Sequence, residues 1–153
     1  MPISAKGEYA ARALLHLALA SDAQTPVRTG DIAERQNIPK KYLEQILLVF
    51  KKEGLVRSKP GLNGGYFLAK RPSEITMAEV IRAVDGPLAP VRCVSQTAYA
   101  PCPIAHVEAT CALRTVWQEA RDAMVGVLER ITLEELAARA RAMADTCVST
   151  YHI

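Results

Sequence analysis

Tyr9, Ala13, Leu14, Leu17 and Ala18 recur at the spacing of one helical face, so a helix is predicted over residues 4–20 with Ser4 capping its start. Thr29 is expected to cap a short second helix through Arg35, with Asp31 in the first turn, where the helix dipole favours an acid. Asn37 lies in the connection that follows. Pro39 suits the first position of a third helix, because its missing N–H needs no partner there. In that helix Leu43, Ile46, Leu47 and Phe50 line one face, Lys40, Lys41, Glu44, Gln45, Lys51 and Lys52 are left for solvent or a partner, and Gly54 ends it. Leu55–Ser58 and Tyr66–Leu68 are short strand candidates around Lys59-Pro60-Gly61-Leu62-Asn63-Gly64-Gly65, a stretch of tight-turn residues. Two short helices joined by a tight turn and followed by a β-hairpin make a winged helix-turn-helix, mainly α with a small β-hairpin wing.

The second half changes character. Thr76-x-x-Glu79 is a capping-box pattern opening a helix that stops near Asp85-Gly86-Pro87. Four of the nine prolines fall between 87 and 103, so residues 87–110 read as an irregular loop. From about Glu108 a long helix is predicted, in which Leu113, Trp117, Ala120, Met124, Val127 and Ile131 form a heptad seam. Such a seam packs either on its own domain or on a second copy; beyond a complete DNA-binding unit, the second copy is the expectation. Thr132-x-x-Glu135 opens a final helix to about Ala144. The expected units are a winged helix-turn-helix over 1–86, a cysteine-bearing loop over 87–110, and a dimerisation helix with a C-terminal helix over 111–146.

Charge sharpens this picture. Residues 1–72 carry 12 Lys and Arg against 6 Asp and Glu, whereas residues 73–153 carry 7 against 10. The excess sits in 28–71, with 10 basic and 4 acidic residues, as a polyanion partner or a solvated Lys-rich face requires. The chain is half apolar, yet no apolar run approaches the roughly 18 residues of a membrane span. Met1 to Lys6 lacks the pattern of a secretory signal, so a cytoplasmic protein with no membrane partner is expected.

In that compartment the four cysteines, Cys93, Cys102, Cys111 and Cys147, suit metal or redox chemistry better than a disulfide framework. Zinc is one candidate, with Cys93, Cys102, His106 and Cys111 as donors, although no C-x-x-C pair accompanies them. A metal-free thiol switch needs only two of them at disulfide distance. A redox enzyme is disfavoured, because there is no nucleotide-binding fingerprint and no evident nucleophile with a partner.

Lys6-Gly7-Glu8-Tyr9-Ala10, Asp31-Ile32-Ala33, Ile38-Pro39, Tyr42-Leu43-Glu44-Gln45-Ile46-Leu47, Gly54-Leu55-Val56-x-Ser58, Gly61-x-x-Gly64-Gly65-Tyr66 and Glu79-Val80-Ile81 occur in that order. As an ordered set over about residues 1–135 they resemble the Rrf2 family of bacterial winged-helix regulators, which includes IscR-like and NsrR-like sensors. The resemblance implies a homodimer joined by the long helix and bound to a palindromic double-stranded DNA operator. It also implies an iron–sulfur cluster, two-iron or four-iron, on Cys93, Cys102 and Cys111, with Glu8 of the other subunit as a further ligand and His106 as the second choice. Thiolates suit such clusters because soft sulfur stabilises iron in both oxidation states. The expected signal is redox, nitric oxide or iron status; the alternative is a cluster-free regulator of the same fold, acting through thiols or a small molecule. Tyr42, Glu44, Gln45 and Lys41 become the expected groove readers, Lys59 the wing contact, and Arg28, Lys40, Lys51 and Arg57 phosphate contacts. Three departures stand out: the cysteines are widely spaced, Arg114 replaces the histidine that follows the last cysteine in IscR-like proteins, and Pro60 precedes the first wing glycine.

Overall fold

The computed structural model describes residues 3–20, 25–105 and 107–150, with side chains described through Cys147. Helix α1 (Ala5–Leu19) opens on Ser4, whose Oγ accepts the Gly7 N–H at 2.9 Å, and it buries Ala10, Ala13, Leu14 and Leu17. In α2 (Thr29–Gln36) the cap position belongs to Arg28; Thr29, expected there, is already the first helical residue and makes no capping bond. Asn37, in the left-handed region at φ 51°, turns the chain towards Pro39, and α3 (Lys40–Lys52) starts one residue beyond that proline. Leu43, Ile46, Leu47 and Phe50 are completely buried and form the centre of the core with α1 and α2.

The wing is an antiparallel pair, β1 (Val56–Lys59) and β2 (Gly65–Leu68), in the register Val56↔Leu68 to Lys59↔Gly65. Lys59 and Gly65 are therefore already paired, and the turn is shorter than its composition suggests. Val27 adds a third, bridging position: its N–H donates to the Tyr66 carbonyl at 2.8 Å and its carbonyl accepts the Tyr66 N–H at 2.9 Å. Gly65 makes this approach possible. Its φ is +151°, and a Cβ there would lie 2.3 Å from the Val27 carbonyl oxygen.

Helix α4 (Met77–Asp85) begins with the expected capping box: Thr76 Oγ1 accepts the Glu79 N–H at 3.2 Å and the Glu79 carboxylate accepts the Thr76 N–H at 2.9 Å. Val80 faces the main core, while Ala78 and Ile81, with Leu88, receive Val125, Met124 and Leu128 of α5 (Ala112–Arg130). The chain then doubles back. Met77 N–H donates to the Ile131 carbonyl and Leu133 N–H to the Ile75 carbonyl, both at 2.9 Å, which pairs the two capping threonines, Thr76 and Thr132, across the start of α4 and of α6 (Leu133–Thr150). Leu133 is completely buried in the main core, and α6 continues beyond the expected end at Ala144. No helix among the described residues is long and apolar enough to cross a membrane.

The heptad seam is divided by this packing. Ile131 is buried and Met124 packs against α4, whereas Leu113, Val116, Trp117, Ala120, Ala123 and Val127 remain exposed. The exposed stripe, 113, 116, 120, 123 and 127, keeps heptad spacing with Val116 and Ala123 in place of Trp117 and Met124 and without the buried Ile131.

Candidate functional site

Cys93, Cys102 and Cys111 line one cavity of about 250 Å³, together with Val91, Ile104, Ala105, Glu108, Leu113, Arg114 and Trp117. Cys93 sits in a short 3-10 turn, Arg92–Val94, and is buried; Cys102 and Cys111 are half-buried, and Cys111 caps α5. Two arginines of α5 hold the Cys93 turn. Arg114 Nε donates to the Cys93 carbonyl at 3.3 Å, and Arg121 donates to the Val94 carbonyl. These bonds satisfy carbonyls that an irregular buried segment would otherwise leave unpaired.

Glu108 organises the other side. Its carboxylate accepts the Cys102 N–H at 2.6 Å and the Tyr99 hydroxyl at 2.9 Å, and Arg114 Nε lies 3.9 Å away. Drawn towards the loop, residues 108–110 form a 3-10 turn, so α5 starts at Ala112 and not near Glu108 as the sequence predicts. The Cys102 N–H, then the Tyr99 hydroxyl, hold the Glu108 carboxyl below the usual carboxylate range, and the same bond raises Tyr99. Burial pushes the Cys93 thiol up, and negative charge developing on Cys102 and Glu108 adds to the effect. Among the described residues no three His, Cys, Asp or Glu side chains form a group placed to hold a single metal ion. His106 and His152 lie outside the described residues. Glu8 is exposed, paired with Arg12 at 2.8 Å, and is not among the residues lining the cavity of its own chain. Cys147 is exposed on α6, away from the cavity lining.

The basic face is a separate surface. Lys40, Lys41, Tyr42, Glu44 and Gln45 are exposed on the outer side of α3, and Arg57 and Lys59 occupy alternate, exposed positions of β1. The Tyr42 ring meets Tyr9 of α1 edge to face, centroids 5.8 Å apart, which holds it upright on the helix. Two of the expected phosphate contacts also brace the unit. Lys51 Nζ donates to Ser58 Oγ at 2.7 Å, and Arg28 Nη2 to the Leu62 carbonyl at 2.8 Å.

Residues 3–139 match the family model Rrf2, described as an iron-dependent transcriptional regulator. The chain belongs to the Rrf2 family. An Rrf2-like HTH-type transcriptional regulator of Rhodobacter capsulatus is 40% identical over 138 residues, covering 89% of this chain and 92% of that protein. The HTH-type transcriptional regulator IscR of Photorhabdus laumondii is 40% identical over 136 residues, covering 89% and 79%. Among solved structures, CymR, the global cysteine regulator of B. subtilis, superposes with a TM-score of 0.75 at 33% identity over 91% of this chain and 98% of its own. T. potens IscR superposes with a TM-score of 0.72 at 30% identity, over 92% and 88%. These relatives make the chain a winged-helix transcriptional regulator of a DNA-binding family. Within this Rrf2 chain, Glu108, Tyr99 and Arg121 are site residues that sequence reasoning missed. An acid just before a long helix reads equally well as a dipole-favoured first-turn residue, so its spacing to Cys102 carried no signal.

Proposed function

We propose that the chain is a homodimeric, DNA-binding transcriptional regulator, not an enzyme, that senses redox, nitric oxide or iron status through an iron–sulfur cluster held by Cys93, Cys102 and Cys111. One observation carries this reading: three cysteines spread over 19 residues of irregular chain line a single cavity. Three thiols lining one cavity with no C-x-x-C pair among them suit an iron–sulfur core better than a structural zinc ion. When bound, the cluster supplies a charge and an exchangeable iron site that respond to oxidants and small ligands. The chain's own residues do the rest. Arg114 and Arg121 tie the Cys93 turn to α5, and Glu108 ties Cys102 to the start of that helix. Helix α5 packs on α4 through Val125, Met124 and Leu128, and α4 packs in turn on α1 and α3. Rearrangement of the loop thus has a packed route to the recognition helix. Leu113 belongs both to the cavity lining and to the exposed α5 stripe, and Trp117 of the lining adjoins that stripe, so a second copy docked there would lie beside the cavity, where its Glu8 would complete the ligand set. The Lys41–Gln45 face and Lys59 of the wing would read a palindromic operator.

The deciding experiment is anaerobic purification with visible spectroscopy and iron and sulfide analysis. Cys93→Ala, Cys102→Ala or Cys111→Ala should abolish the cluster absorption, Glu8→Ala should leave a more labile cluster, and Cys147→Ala should change nothing. Full iron and sulfide in any of the three cysteine variants would sink the assignment. A second reading, a cluster-free thiol regulator, is favoured by the superposition on CymR, which in S. aureus has also been solved in an oxidized form, at a TM-score of 0.69 and 31% identity. A colourless protein that forms a disulfide between two cavity cysteines on mild oxidation would establish that alternative.

A further inference from the structure

Glu108 meets two of the three cavity cysteines through their backbone. Its carboxylate accepts the Cys102 N–H at 2.6 Å, and its carbonyl accepts the Cys111 N–H at 3.2 Å. The other carboxylate oxygen accepts the Tyr99 hydroxyl at 2.9 Å. The side chain is only 22% exposed and lines the cavity beside the thiols. Holding two donors requires only an acceptor, and a neutral amide oxygen has two lone pairs for the purpose. A charge in that place costs more, since it is partly withdrawn from water and stands among thiols that become anionic on binding metal. Arg114 offsets it loosely: Nε lies 3.9 Å away and directs its N–H to the Cys93 carbonyl at 3.3 Å. Hydrogen bonding therefore explains an acceptor at position 108 and leaves its charge unexplained.

On an iron–sulfur core in this cavity, two effects of Glu108 act in one direction. Reduction adds one electron and hence one negative charge, which a fixed carboxylate nearby opposes. Backbone N–H groups directed at cluster sulfur favour the reduced form, and Glu108 keeps two of them, those of Cys102 and Cys111, for its own oxygens. We propose that Glu108 lowers the reduction potential of this site, as a positioning residue that acts through its charge and the cysteine amides with no bond to iron. This rests on the reading of Cys93, Cys102 and Cys111 as cluster ligands and adds to it the residue that tunes them. Tyr99 acts through Glu108, by fixing the carboxylate on the cavity wall.

The test is an optical redox titration of the anaerobically purified full-length protein, with dithionite as the electron donor and iron and sulfide measured in every sample. Glu108→Gln keeps an acceptor for the Cys102 N–H and removes the charge. It should raise the midpoint potential by about 59 mV, a tenfold change in the one-electron equilibrium. Glu108→Ala also frees the N–H and should raise the midpoint further, whereas Glu108→Asp restores the charge and should return it towards the wild-type value. Glu134→Gln, which removes an exposed acid of α6 outside the cavity lining, should leave it unchanged. A merely structural Glu108 would alter cluster content or lifetime, and the midpoint of a loaded Glu108→Gln protein would match that of Glu134→Gln. That match would overturn the proposal. So would a Glu108→Gln protein that holds no iron beside a loaded wild type, since residue 108 would then be a ligand or a scaffold; both results leave the cluster reading standing. A wild type without iron and sulfide would remove both readings.

Discussion

Cys93 and Cys147 carry the same thiol in opposite surroundings, one buried and the other exposed. Cys93 is buried, and its thiol is pushed up by that burial and by the charges of Cys102 and Glu108, so little thiolate exists near neutral pH. Because the thiolate is the nucleophile, Cys93 should be the last cysteine of the metal-free protein to react with iodoacetamide, and exposed Cys147 the first, as mass spectrometry over a time course would read. Simultaneous loss of both thiols would contradict the buried placement. Glu108→Ala should accelerate Cys102 in the same assay, since the carboxylate that holds the Cys102 N–H would be gone. At this scale the sequence was legible for residue types and much less so for partners. The thiols were visible as candidate ligands, and the outer face of α3 was visible from its period. That Arg28 and Lys51 spend a donor on the wing could not be seen, because the bonds span connections whose course only the folded chain sets.

Helix α5 shows what periodicity leaves open. Two heptad readings of the same stretch differ by a small rotation, and the buried Val125 and Ile131 select the one that presents Val116 and Ala123 outward. Val116 and Val127 are 53% and 51% exposed, so placing Glu at both should leave the monomer's packing intact while setting like charges against each other across a dimer seam. The wild type should sediment as a dimer and the double variant as a monomer, with its helical circular dichroism retained; a persisting dimer would place the interface elsewhere. Helices α1 and α2 supply a pH effect. His16 Nδ1 lies 3.2 Å from the Gln36 amide nitrogen and accepts from it only when unprotonated. Partial burial, then the charge of Arg35, lowers its pKa below the ordinary 6.5. The unfolded chain therefore binds this proton more readily, so His16 leaves stability undiminished above about 6.5 and erodes it as the pH falls below that value, levelling off once the folded pKa is passed. The urea midpoint of the wild type should drop between pH 8 and pH 5.5, and that of His16→Gln should drop less.

At the scale of the whole molecule, the C-terminal helix is part of the winged helix. Leu133 is completely buried among residues of α1 and of the segment before α4, so Leu133→Ala should cost about 2–5 kcal/mol. Differential scanning calorimetry should show one transition moved to lower temperature, because a core shared between 5–85 and 133–137 cannot melt in two steps; two separate transitions would refute that unity. Thr132-x-x-Glu135 marked the starting residue of this return, and the packing of its helix against α1 is what the fold adds. What the sequence determined by itself was local: helix faces, Ser4 and Thr76 as caps, the turn chemistry of the wing, the ordered motifs of the Rrf2 family and the identity of the three thiols. These depend on residue type and on spacings within one or two turns, which the chain carries wherever it goes. What only the tertiary structure decided was which groups meet across long stretches of chain: the strand-like pairing of Thr76 with Thr132, the rotation of α5, and the gathering of Cys93, Cys102 and Cys111 around one cavity with Glu108 and Arg114 as its braces. Those meetings follow from burying one shared apolar core and satisfying the backbone of an irregular loop, and no local pattern encodes either.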